Sequence, residues 1–494
     1  MRRAALILAL CAACDWEHFG LVNSVPLPPV QHPGRPVKVF LGVDGVSRAA
    51  FDEAQAQGAF AGFNTSTLIP MYPATSDASW TRMLHTRRFP GYEYTYYDPV
   101  QDAVVEPGLE GLLQHIIPPF DGSPFGASSS NAPAYYHAFD VHSSDYFDAI
   151  GAYTTTHVSF ARSLDQIFFT LGGRLDTQEV FFAYLLETDV LGHSESKPAV
   201  VEVLKTLSAR MQQFHDDHPE HPVSYTLFTD HGLDHIEKPP ENVISGPGEV
   251  AASGVHAVGS AAEGRAGGGA WAVAIEHSRT TYVAVYTEDA LANEVAKRIS
   301  TNPKFDLVVA RALPEAGETL PLDWPRVSIW KTGQRAAYFA FDAAHDTYWL
   351  ESTLDQSALG VSLVMGAAAF TPFADAELFD GTMGKPYPDL FFRARTALEP
   401  VSVEHPAQVM ASLKPAYVCV GYAAPGFGAA GTAGSHGSLA RESSEGILAS
   451  QDRALPPYVR SDNLLDLLPE LRAHLEERHG ALLPGDANAG LPGQ

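Results

Sequence analysis

Cysteine is scarce. The 494-residue chain has three. Cys11 and Cys14 lie in the first apolar stretch, which leaves Cys419 alone in the body. A single body cysteine excludes an internal disulfide there, and in the run "AYVCVGY" it reads as a small buried hydrophobe. Basic residues are also few: 32 Lys and Arg stand against 58 Asp and Glu, a net charge of −26. A field of that sign repels polyanions and excludes a general nucleic-acid duplex binder. It leaves room for a small phosphorylated ligand, because bound dications reverse the field inside a pocket. After the first residues no uncharged run is long enough to span a bilayer. The 45% hydrophobic and 18% charged content is that of a globular protein. A chain of this length buries roughly 75% of its unfolded surface, so one large domain with insertions, or two domains, can form a core.

The N-terminus, "MRRAALILALCAACDWEHFG", has two arginines, an apolar stretch and then small residues. This is the pattern of an export signal. Cys11-Ala12-Ala13-Cys14 resembles a bacterial lipoprotein box, with Cys11 where Leu is usual. Residues 1–14 are therefore expected to be the signal, with Cys14 lipidated. The Pro-rich "NSVPLPPVQHPGRP" closes a tether over 15–36. An exported protein anchored by lipid in the cell envelope is expected, with no other membrane contact. The body runs over 37–480, and 481–494 reads as a disordered tail.

Four apolar runs have strand character: 37–44, 180–189, 223–230 and 417–426. Helical patterns such as "AAFDEAQAQGAF", "SFARSLDQIFFTL" and "AVVEVLKTLSARMQQFHDD" lie between them. The alternation predicts an α/β fold with a mostly parallel sheet covered by helices on both faces. Residues 245–270 are Gly/Ala-rich and read as a loop. Residues 281–312 read strand-helix-strand, and 326–342 read as a hairpin around Gly333. Roughly 235–350 is taken as an inserted subdomain.

Three of the strand-like runs end in aspartate: Asp44, Asp189 and Asp230. Ligands of open α/β sheets bind beyond the carboxyl ends of the strands. Three carboxylates on one edge repel unless a cation lies between them. His193 follows Asp189 by one helical turn or a tight loop, His231 adjoins Asp230, and His436 lies in the Gly-rich "GTAGSHGSL". Carboxylate oxygens with imidazole nitrogens suit zinc or manganese. Ser76, in "YPATSDASWTRML", falls at the start of a short helix, where the dipole favours an anion. It reads as an activated nucleophile or as an ordinary N-cap.

The segments "LGVDG", "PATSDASWTRML", "ETDVLGH", "TDHG" and "GSHG", in this order, resemble the alkaline phosphatase superfamily. The branch they resemble is that of type I phosphodiesterases and nucleotide pyrophosphatases. The resemblance implies an alkaline phosphatase-like core and two divalent ions. Asp44, Ser76, Asp230 and His231 would hold the first ion, and Asp189, His193 and His436 the second. Zinc is favoured, with manganese as the other candidate. It further implies phosphodiester or pyrophosphate hydrolysis through a phosphoserine on Ser76. A phosphomonoesterase with the same site is the alternative, and a non-catalytic envelope binding protein is a third. Oligomeric state and physiological substrate are not legible.

Departures bear on specificity. Ala78 stands where many relatives have Pro, and Ala78 with Trp80 argues against a sulfatase. The branch usually has a Thr nucleophile and a phosphate-binding Asn, and "RRFPGYEYTYYDP" offers no Asn. Arg88, a nearby tyrosine or backbone would substitute. "GHSES" nearly matches a hydrolase elbow with Ser194 as nucleophile, but the last Gly is Ser196. His235 and His256 read as solvent-exposed or substrate-facing, and Trp80, Phe181 and Phe182 as core.

Overall fold

The computed structural model describes residues 34–93, 95–105, 134–142, 155–421, 432–480 and 482. The expected signal, Cys14, nearly all of the tether and all but Leu482 of the tail lie outside them.

The fold is α/β. The main sheet has seven strands: β1 (Val37–Val43), β2 (Asn64–Ile69), β3 (Val141–His142), β4 (Val180–Leu185), β5 (Val223–Phe228), β6 (Gly446–Ser450) and β7 (Tyr458–Arg460). Their order is β7-β2-β6-β5-β1-β4-β3. Only β6 runs antiparallel to its neighbours. Parallel strands need crossover helices, and those cover both faces. On one face lie α1 (Arg48–Ala56), α3 (Thr156–Gly172) and α5 (Lys197–Asp217). Phe51, Phe160, Leu164, Leu204 and Met211 pack there against Val39, Leu41, Phe181 and Leu227. On the other face lie α2 (Ser76–Met83) and α6 (Pro469–His479). Trp80, Met83, Leu471 and Leu475 pack there against Phe40, Phe182, Tyr184 and Phe228. Alternate residues of β1 and β4 therefore face opposite helix layers, which is why both runs are apolar without a break.

A second sheet of nine strands is built from residues between His256 and Leu413. It is antiparallel except for its terminal pair, His256–Ala257 with Trp271–Glu276. The expected strand-helix-strand and hairpin are both present, and Gly333 turns the hairpin with φ +78°.

Several expectations need correction. The second sheet continues well past 350, because the strand Val409–Leu413 inserts between Tyr282–Tyr286 and Phe305–Arg311. The region 245–270 holds two short helices, Gly246–Ala252 and Ala261–Gly267, capped by Ser245 and Ser260. Asp102 adds a cap by accepting from the Ala261 and Ala262 amides. The run 417–426 contributes only Val418–Cys419, which pairs with Val243–Ile244 outside the main sheet; its residues from 422 on are not described. Cys419 is fully buried. The "VFFAYLLETD" strand ends at Leu185, and Asp189 belongs to the helix α4 (Glu187–Glu195). Glu187 and Asp189 suit a helix first turn, where carboxylates meet the positive dipole end. No helix among the described residues is long and apolar enough to cross a membrane.

Candidate metal centre

β4, β1 and β5 are adjacent and parallel, with Val43 level with Leu185 and Gly42 level with Phe228. Their carboxyl ends therefore stop together. Asp44 follows β1, α4 follows β4, and Asp230 and His231 follow β5. His436 arrives from the loop that leads into β6, and Ser76 opens α2. Gly45 lets these segments meet: its φ is +63°, and a Cβ there would lie 2.4 Å from Asp189 Oδ1.

The residues form two buried triads, Asp44–Asp230–His231 and Asp189–His193–His436, each with ligand atoms within 4.8 Å of one another. The His231 and His436 rings stack at 3.8 Å, so the triads adjoin. Ser76 is half-buried beside the first triad. Its Oγ donates to Asp44 Oδ1 at 3.3 Å and lies 3.4 Å from His231 Nε2. All seven sequence-derived residues are thus brought together. Thr75, not Ser76, is the N-cap of α2, and its side chain makes no capping bond. That removes the ordinary-cap reading of Ser76.

The donor atoms are arranged for cations. His193 Nδ1 donates to Gly434 O at 2.8 Å, His231 Nδ1 to Gly232 O at 3.1 Å, and His436 Nδ1 to Ala74 O at 2.7 Å. Each neutral ring then carries its lone pair on Nε2. His231 Nε2 lies 3.3 Å from Asp230 Oδ2 and 3.5 Å from Asp44 Oδ1, and His193 Nε2 lies 3.4 Å from Asp189 Oδ2. Lone pairs facing carboxylates at such distances repel unless a proton or a metal ion intervenes. Asp189 Oδ1 and Asp230 Oδ2 are buried and accept no hydrogen bond, which costs free energy in a metal-free site. The residues fit two divalent ions.

The electrostatics agree. Burial, then the charges of Asp230 and Asp189, push the Asp44 carboxyl well above the usual range. Burial and then Asp189 push Asp230 up to about 7. Burial and then His436 hold His193 and His231 well below the usual imidazole range, so both rings are neutral at pH 7. A fixed outer layer holds Asp44: Tyr184 OH and Trp80 Nε1 donate to Oδ2, and Thr188 Oγ1 donates to its carbonyl at 2.6 Å. Trp80 is therefore core and also a partner of the candidate ligand Asp44. The sequence carries no periodic signal for such a hydrogen bond.

Other candidates resolve differently. Ser194 lies within α4 and donates back to Val190 O at 2.7 Å, so no strand-to-helix elbow exists. Arg88 has Arg82 and Glu404 as its charged neighbours rather than the triads. The titratable group of that segment that interacts with them is Glu93, pushed well up by burial and then by Asp77, Asp189 and Asp230. His235 Nε2 meets Ser47 Oγ at 2.9 Å, and burial followed by Lys197 and Lys238 holds its pKa down to about 4. His256 is exposed on the second sheet. Arg279, on a turn whose Thr281 donates twice to His436 O, and Lys238 are the cations that add to the lowering at His193.

No family model matches the chain, and no curated protein does. Among solved structures it is similar to murine ectonucleotide pyrophosphatase/phosphodiesterase 5, with 11% identity over 89% of this chain and 95% of that one, at a TM-score of 0.46. An inactive form of the murine protein in complex with AMP gives 12% identity, the same coverages and a TM-score of 0.43. The human counterpart gives 8% identity, again with those coverages, and a TM-score of 0.42. Likeness at this level assigns neither residues nor substrate.

Proposed function

We propose that the chain is a metal-dependent phosphoesterase that cleaves phosphodiester or pyrophosphate bonds with Ser76 as nucleophile. The observation that carries this reading is the placement of Ser76 Oγ beside Asp44 and His231, at the mouth of two adjoining buried ligand triads. Asp44, Ser76, Asp230 and His231 would hold one ion, and Asp189, His193 and His436 the other. Bound there, two ions would supply Lewis-acid charge to the phosphoryl oxygens and acidify the oxygens they touch.

The chain's own groups do the rest. The start of α2 directs its dipole and first amides toward the nucleophile's surroundings, which favours an anion. Asp44 accepts from Ser76 Oγ and orients it. Ser76 Oγ attacks phosphorus, the P–O bond to the leaving alcohol or phosphate breaks, the proton lost by Ser76 departs with that leaving group, and the phosphoryl group stays on Ser76 with the substrate's other ester group attached. Water then cleaves the Ser76 Oγ–P bond, releases the monoester and restores the hydroxyl. Tyr184 and Trp80 keep Asp44 aimed through both steps. Asp77 and Glu93 add carboxyl groups beside the triads. A small nucleotide-type diester is a fitting substrate class.

The test is hydrolysis of bis-p-nitrophenyl phosphate against p-nitrophenyl phosphate by the zinc-reloaded protein. Faster turnover of the diester is expected. Faster turnover of the monoester would make it a phosphatase, and none on either would leave the binding-protein reading.

A further inference from the structure

The segment "DHGLDHIEK" places Asp234 and Lys238 just after the ligand pair Asp230 and His231. Both side chains are buried, at 1% and 0% exposure. A buried ion pair is no cheap source of stability, since an apolar pair of similar volume does as well. Its position here is informative. Lys238 Nζ donates to both Asp234 oxygens at 2.9 Å and to Ile236 O at 2.6 Å. Asp234 Oδ1 also accepts from Ser435 N at 2.9 Å and Ile236 N at 3.3 Å, and Oδ2 accepts from Ser435 Oγ at 3.2 Å. Its lone pairs are thus taken, which excludes Asp234 as a metal ligand.

Ser435 immediately precedes His436. Two backbone bonds complete the lacing: Asp234 N to Ser435 O at 3.0 Å, and Lys238 N to Thr432 O at 2.7 Å. On its other side the same loop is tied to α4, with Ala433 N donating to His193 O at 2.7 Å. Gly434 permits this approach, since a Cβ there would lie 2.2 Å from Leu233 Cδ2 and 2.9 Å from Gly192 O. The loop that bears His436 is therefore held between the His193 helix and the His231 loop.

We propose that Asp234 and Lys238 are positioning residues that set the spacing between the two ligand triads, by locking the His436 loop to the His231 loop through Ser435. The inference rests on the two-ion reading of the triads. Lys238 is needed because it cancels the Asp234 charge; without it Asp234 would be an uncompensated buried carboxylate in the clamp. The sequence hides the device, because a lone Asp and Lys four residues apart in a loop read as surface charge.

The experiment is zinc competition with a chelator on the whole protein, together with steady-state kinetics. Asp234→Asn and Lys238→Met are each expected to weaken the ion held by Asp189, His193 and His436 by about 10–100-fold, the range for outer partners of metal ligands. The ion of the first triad should be less affected, and kcat should fall more than KM rises. The double variant, which removes both charges together, should lose less affinity than the two single losses combined. Wild-type zinc affinity at both sites in the single variants would overturn the proposal. Should neither fold, Ser435→Ala removes only the 3.2 Å contact, and a several-fold loss of zinc affinity is expected; unchanged affinity there overturns the proposal. A wild-type protein that binds fewer than two ions would refute the site itself. Two ions bound with no turnover of any phosphate ester would refute the phosphoesterase reading and leave the clamp standing.

Discussion

Strip the ions from the protein with a chelator, then return zinc at pH 6 and at pH 8. In the metal-free site Asp230 is held at about 7 by burial and then by the charge of Asp189. At pH 6 such a group is about 0.9 protonated, and at pH 8 about 0.1. A carboxyl with an ordinary pKa would be ionised at both. Zinc must displace that proton, so binding at pH 6 releases about one proton from Asp230, with a further contribution from Asp44, whose carboxyl is raised in the same direction. The sign follows: affinity rises with pH up to about 7 and flattens above it, by about tenfold, or about 1.4 kcal/mol, for Asp230 alone. His193 and His231 release nothing, because both are held well below the usual range and are already neutral. Titration calorimetry in two buffers of different ionisation enthalpy counts the protons. Infrared difference spectra identify them, since a protonated carboxyl band should vanish when zinc is added at pH 6. Proton release without loss of that band would mean that the imidazoles carry the protons, and the electrostatic account of the site would be wrong.

Asp230→Ala should cost metal as well as activity; metal analysis showing two ions in that variant would remove Asp230 from the ligand set. Gly45→Ala combines a φ of +63° with a Cβ 2.4 Å from Asp189 Oδ1, so at least a tenfold loss of zinc affinity is expected by chelator competition. Trp80→Phe removes the indole donor to Asp44 and some packing; a loss of about 1–3 kcal/mol in denaturant unfolding is expected, with reduced kcat. Arg460 joins Asp375 and Asp389 and lies over the Phe392 ring at 3.9 Å. Arg460→Met should destabilise by about 3–5 kcal/mol through two uncompensated carboxylates, measured by the same unfolding, and should leave zinc binding intact.

The candidate ligands were legible because each sits at a place that chain chemistry marks. Asp44 and Asp230 end apolar strands, and His193 lies one turn beyond Asp189 on α4. The main-sheet strands β2, β6 and β7 were harder to see. "NTSTLI" is mostly polar, and Gly446–Ser450 is short and small-residue-rich; both are strands because long-range pairing supplies their partners. Conversely, the apolar run from 417 looked like a strand of this sheet, yet only Val418 and Cys419 pair, and with a different element. The helices of 245–270 escaped because Gly and Ala give no amphipathic period, and side-chain caps set them instead. Glu93, Asp234 and Lys238 were invisible for a related reason: their meaning comes from what faces them across the fold, not from spacing along the chain.

The most direct measurement is acid quench of the zinc-loaded protein during turnover of bis-p-nitrophenyl phosphate, followed by peptide mass analysis. One p-nitrophenyl phosphoryl group on Ser76 is expected, absent from Ser76→Ala. No phosphoryl group on Ser76, with Ser76→Ala turning over at near wild-type rate, would contradict it.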